Sequence, residues 1–61
     1  MNMYFETFVD ESGKDRWRLK AKNGEIVADS GQGYVNYGDM VETINKIKAG
    51  APHAKIQKAD G

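Results

Sequence analysis

Between residues 16 and 22 polar and apolar positions alternate: Arg16, Arg18, Lys20 and Lys22 are separated by Trp17, Leu19 and Ala21. A period of two is the repeat of a strand with one wet face and one apolar face. Asn23-Gly24 follows, the preferred pair for a two-residue type I′ turn, and residues 25–30 return as the partner strand. Such a turn fixes the register. It sets Lys22 opposite Glu25, Lys20 opposite Val27 and Arg18 opposite Asp29, with Ala21 meeting Ile26 and Leu19 meeting Ala28 on the apolar face. Upstream, residues 3–10 are rich in aromatic and β-branched side chains and read as a first strand. Met3, Phe5, Thr7 and Val9 are assigned to its inner face, and Tyr4, Glu6 and Phe8 to its outer face. Glu11-Ser12-Gly13-Lys14 supplies the chemistry of the intervening turn.

Gly31-Gln32-Gly33 breaks the alternation, and residues 34–38 read as an irregular connection. The period then changes. Met40, Val41, Ile44 and Ile47 recur at helical spacing, with Asp39 placed as N-cap and Glu42 three residues on as its capping-box partner. Gly50 suits the position just past a helix end and Pro52 forbids continuation, which predicts a helix over residues 40–49. Residues 53–58 are expected to form a short fourth strand, with Ala54 and Ile56 facing in. The fold class that follows is α+β, a β-β-β-α-β chain: a three-stranded antiparallel meander, one helix and a short fourth strand, in one domain over residues 1–61.

Length changes the picture most. A chain of 61 residues buries only roughly 60 % of the surface its unfolded form exposes, and domains this small usually need a staple. There is no cysteine, which removes disulfides and thiolate metal sites, and the single His53 cannot alone anchor zinc. A second subunit is the staple left, so a homodimer is expected, with Ala54 and Ile56 at its interface. Basic and acidic residues balance at nine each, which counts against a dedicated nucleic-acid binder. No stretch is apolar enough to span a membrane and residues 1–10 do not read as a signal peptide, so a cytoplasmic location is expected.

Candidate chemistry is sparse. Arg16, Arg18, Lys20 and Lys22 form a row that RNA or an acidic partner could use; a solvated sheet face, neutralised in part by Glu25 and Asp29, explains it more simply. Trp17 and Phe5 could stack bases, but the alternation assigns them to the core or an interface. Tyr34 and Tyr37 flank the loop before the helix and are the candidate walls of a small-ligand groove. Gly31-Gln32-Gly33 lacks the Gly-Lys-Ser/Thr continuation of a phosphate loop. Asp10, Glu11 and Asp15 lack the ordered spacing of a calcium loop. No catalytic residue, metal site or cofactor is expected. The reading is a small non-enzymatic homodimeric structural or interaction domain, with RNA binding through the basic face as the alternative.

The order of short motifs resembles the YegP-like family, small proteins of undefined biochemical role. Tyr4-Phe5-Glu6 opens it, and the Arg16-Trp17-Arg18-Leu19 block follows Gly13. Then come Lys22-Asn23-Gly24-Glu25-Ile26-Val27-Ala28, residues 30–34, the helix and Ala51-Pro52-His53-Ala54. The resemblance implies three strands, a helix and a fourth strand. Two such units, in tandem or as two subunits, would assemble into one sheet that exchanges C-terminal strands. This chain holds one unit, which matches the two-subunit form. It departs from the family after Gly33-Tyr34, where Val35-Asn36-Tyr37 replaces the usual small hydroxylated residue and lysine.

Overall fold

The computed structural model describes residues 2–60. Three strands, β1 (Met3–Val9), β2 (Asp15–Ala21) and β3 (Ile26–Asp29), precede helix α1 (Tyr37–Gly50) and a 3-10 turn at Ala51–His53. The strands form an antiparallel sheet in the order β1-β2-β3, and α1 lies on one face of it. The fold class is therefore α+β, with the expected meander and helix.

Both hairpins are built the same way. At the first, the Asp10 N–H donates to Lys14 O (2.9 Å) and the Gly13 N–H to Asp10 O (2.9 Å). At the second, the Ala21 N–H donates to Glu25 O (2.8 Å) and the Gly24 N–H to Ala21 O (2.8 Å). Each connection is thus a three-residue loop whose last member is glycine in the left-handed region, Gly13 at φ 81 and Gly24 at φ 90. The two-residue type I′ turn expected at Asn23-Gly24 is not formed. That turn needs positive φ at both central residues, and among the described residues only glycines have it. Asn23 uses its side chain instead, Oδ1 accepting the Glu25 N–H at 3.0 Å.

Lengthening the loop displaces the register by one residue, so Lys20 faces Ile26 rather than Val27, and Lys22 does not face Glu25. Val27 is then the extra residue of a β-bulge, beyond which Leu19 faces Ala28 and Arg18 faces Asp29 as expected. The bulge undoes what the loop added.

The helix begins a turn earlier than its apolar stripe does. Asn36, extended at φ −113 and ψ 121, accepts the Gly38 N–H on its side chain at 2.8 Å and is the N-cap in place of Asp39. Asp39 lies in the first turn, where a carboxylate still suits the helix dipole. Gly50 is right-handed (φ −96) and does not end the helix. The Ala51 N–H bonds Ile47 O, and Pro52 occupies the first turn of the 3-10 helix, where its missing N–H is no loss.

Met40 is completely buried, and with Trp17 and Ile44 it forms the core, against which Phe5, Leu19, Tyr34 and Ile47 pack. The Phe5 and Trp17 rings meet edge to face, centroids 5.3 Å apart. The face assigned as inward is therefore correct for β2 and, through Phe5, for β1, while Met3, Thr7 and Val9 of β1 stay exposed.

Residues 30–33 loop out between two anchor points on β2. At one, the Ser30 N–H bonds Trp17 O (2.9 Å); at the other, Asp15 and Tyr34 exchange both backbone bonds (2.9 and 2.8 Å). Gly31 has φ 69, in the left-handed region that favours glycine. Gly33 is needed for a different reason: a Cβ there would stand 2.7 Å from Lys14 Cβ. The loop lies directly against the first hairpin.

No fourth strand forms among the described residues. Residues 54–60 leave the 3-10 turn in extended conformation at Ala54 (φ −72, ψ 136), belong to no ladder and are exposed throughout. Their only large apolar side chain, Ile56, is fully exposed at 102 %. One isolated isoleucine cannot offset the cost of ordering a strand against its own subunit.

Candidate functional site

The outer sheet face, away from α1, carries Tyr4 opposite Lys20, Glu6 opposite Arg18 and Phe8 opposite Arg16. Its basic row is largely spoken for by β1. Arg16 Nε lies 2.5 Å from Asp10 Oδ2, and Arg18 Nε lies 3.0 Å from Glu6 Oε1, close enough for an ion pair though not aligned as a hydrogen bond. Lys20 Nζ is 3.7 Å from the same Glu6 oxygen. The Arg18 guanidinium also stands over the Phe8 ring, 4.1 Å from its centroid. Lys22 is exposed and in none of the described ion pairs. Among the described ion pairs, the carboxylates that neutralise the row are Glu6 on β1 and Asp10 in the turn after it, rather than the expected Glu25 and Asp29.

Asp10 does two jobs at the first hairpin. Its Oδ1 accepts the Ser12 N–H (2.8 Å) and the Lys14 N–H (3.0 Å) while Oδ2 holds Arg16. The Arg16 hydrogen bond above all, then the Lys14 N–H, keeps its carboxyl below the ordinary value of 3.8. This is turn-building chemistry, and no group of three or more metal-ligating side chains occurs among the described residues.

Tyr34 and Tyr37 sit in different surroundings. Tyr34 packs on the core, whereas Tyr37 opens α1 and is 55 % exposed. Hydrogen bonding with Gln32, then with Thr43, holds the Tyr34 hydroxyl below the usual phenol range, with a smaller contribution from the Trp17 indole. The indole N–H itself is buried without a well-aligned acceptor. His53 ends the 3-10 turn, exposed.

The concave surface lies elsewhere, at the far end of the helix. Met3, Phe5 and Leu19 from the sheet and Ile47, Lys48, Ala51 and Pro52 from the helix end line an open apolar groove of about 390 Å³. Beside it runs the free edge of β1. Antiparallel bonding alternates along a ladder. Asn2 O accepts the Lys22 N–H and the Asp10 N–H reaches Lys14 O, so the even-numbered residues of β1 face β2. The N–H and C=O groups of Met3, Phe5, Thr7 and Val9 therefore point the other way, where no strand lies among the described residues. The meander expected from the sequence already makes β1 an edge strand, but it singles out none of its residues. Its signal is the absence of lysine, proline or a bulge along β1, the usual protections of an edge.

No helix of the described residues is long and apolar enough to cross a membrane. Residues 10–57 match the family model described as a domain of unknown function, DUF1508. A UPF0339 protein of Methanosarcina acetivorans is 46 % identical over 52 residues, covering 85 % of this chain and 88 % of the relative. One from Neisseria meningitidis serogroup B is 43 % identical over 47 residues, covering 77 % and 82 %. Another, from Stutzerimonas stutzeri and described as lying in the ptx operon 5′ region, is 35 % identical over 85 % of this chain, which spans 46 % of that relative. A protein from Haloferax volcanii solved in solution by NMR superposes with a TM-score of 0.86 at 45 % identity, covering 97 % of this chain and all of the other. From strand to tail, then, this chain is a member of the DUF1508 family, the UPF0339 proteins, whose biochemical role is undefined.

Proposed function

We propose that the chain is a small, non-enzymatic homodimeric structural or interaction domain of the cytoplasm, completed by exchange of residues 54–60 between two copies. The observation that carries this reading is the free β1 edge beside an open apolar groove, in a chain whose tail over residues 54–60 belongs to no ladder. Seven extended residues span about 23 Å at roughly 3.3 Å each, the length of the seven-residue β1. A partner's tail laid along β1 would satisfy the outward backbone groups of Met3, Phe5, Thr7 and Val9. With Ala54 and Ile56 on the helix side, the isoleucine would enter the groove.

Two further facts support it. Only Trp17, Met40 and Ile44 are buried apolar residues among those described, a small core for a domain without disulfide or metal. The Stutzerimonas relative is long enough to carry a second unit in one chain, since this chain spans 46 % of it. The basic face is the weaker candidate for a partner because Glu6 and Asp10 already engage its arginines.

Light scattering on a sizing column, with melting followed across protein concentration, tests the reading. A mass near twice 6.8 kDa and a melting temperature that rises with concentration are expected, with both lost in Ile56→Asp. A monomer mass with a concentration-independent melt overturns the dimer. A dimer that tolerates Ile56→Asp and truncation after His53 overturns the exchange.

A further inference from the structure

Asn23 is the chain's one asparagine followed by glycine, and it sits exposed at the tip of the second hairpin. An Asn-Gly pair is chemically labile because nothing on the glycine shields its backbone nitrogen. The Gly24 nitrogen attacks Asn23 Cγ, and the new N–C bond closes a succinimide. The Cγ–Nδ2 bond breaks, and ammonia leaves with the proton the peptide nitrogen gives up. Water then opens the ring at Cγ to give aspartate, or at the main-chain carbonyl to give isoaspartate, with no change of oxidation state.

In the folded hairpin both reacting groups are engaged. The Gly24 N–H donates to Ala21 O at 2.8 Å, and Asn23 Oδ1 accepts the Glu25 N–H at 3.0 Å. Closing the succinimide requires the nitrogen to give up its proton and both groups to leave these bonds. Doing so opens the loop that joins β2 to β3. We propose that Asn23-Gly24 is a deamidation site guarded by its own hairpin, whose two products act oppositely on the fold.

Aspartate keeps an oxygen where Asn23 Oδ1 accepts the Glu25 N–H, so the loop survives it. Isoaspartate routes the main chain through Cβ and Cγ and adds a backbone atom inside the three-residue loop. The paired bonds Ala21 N–H to Glu25 O and Gly24 N–H to Ala21 O cannot both close over the longer path. The bulge at Val27 has already absorbed the one extra residue the ladder accommodates.

The test is to incubate the whole chain at mildly alkaline pH, in native buffer and in concentrated urea. Deamidated species are quantified by mass spectrometry, and isoaspartate by enzymatic methyl transfer. Native incubation is expected to be at least about tenfold slower, the ratio set by a local opening free energy of about 1.4 kcal/mol. Equal rates, or a faster native reaction, overturn the guard. Asn23→Asp is expected to melt close to the parent, whereas chain aged in urea, refolded and enriched in isoaspartate is expected to melt lower. An isoaspartate species that melts with the parent overturns the second half.

Discussion

Replacing Gly33 with alanine puts a methyl carbon 2.7 Å from Lys14 Cβ, 3.0 Å from Lys14 Cδ and 3.3 Å from Asp10 Oδ2. Carbon atoms in optimal contact are about 3.5–4.0 Å apart, so the first approach is short by roughly 1 Å. Lys14 Cδ can swing aside. Its Cβ cannot, because the Lys14 N–H is bound to Asp10 Oδ1 and its carbonyl accepts the Asp10 N–H. The loop must therefore lift, and the Asp15–Tyr34 pair of backbone bonds sits immediately beside it. Overpacking of this kind costs typically about 1–3 kcal/mol, and each weakened hydrogen bond adds about 1. A total near 2–3 kcal/mol lowers the melting temperature of a domain this size by roughly 10–20 °C. Circular dichroism melts at one fixed protein concentration give the answer. Gly31→Ala is the control, since a Cβ there meets nothing within 4 Å and carries only the strain of φ 69. A double-mutant cycle with Lys14→Gly isolates the contact. An unshifted Gly33→Ala melt, or a cycle without coupling, would refute the reasoning.

Two other outcomes follow from the same geometry. Asn36→Ala removes the side-chain acceptor for the Gly38 N–H and should cost about 0.5–2 kcal/mol, read by chemical denaturation together with earlier exchange of the first-turn amides of α1. Because folding lowers the Asp10 pKa, its contribution to stability is complete above the unfolded value near 3.8 and disappears as pH falls through the lower folded one. Asn at position 10 should flatten the acid limb of a plot of melting temperature against pH; an unchanged limb would assign it to other carboxylates.

The sequence made the sheet legible where one face is buried. Trp17, Leu19 and Phe5 could only face the helix, and the stripe Met40, Ile44 and Ile47 matched them. Boundaries set by local hydrogen bonding were harder to read. Asn36 outcompetes Asp39 as a cap from outside the apolar stripe, because capping depends on backbone geometry and not on periodicity. Asn23-Gly24 fits two turn types, and only the φ of Asn23 tells them apart. The row Arg16, Arg18 and Lys20 looked exposed because its partners lie outside β2, Glu6 on β1 and Asp10 in the turn after it. Gly33 reads in sequence only as part of a break in the alternation, while its real constraint is a neighbour nineteen positions upstream, Lys14.

The strand order β1-β2-β3 also bears on how the chain reaches this structure. Every pairing in the sheet joins neighbours along the chain, across loops of three residues. Hairpins of that kind close in about 1–10 μs, and topologies rich in local contacts fold fast. Neither hairpin holds its apolar face out of water until α1 arrives over Trp17 with Met40 and Ile44. Docking of α1 is thus the step at which the apolar face of both hairpins leaves water.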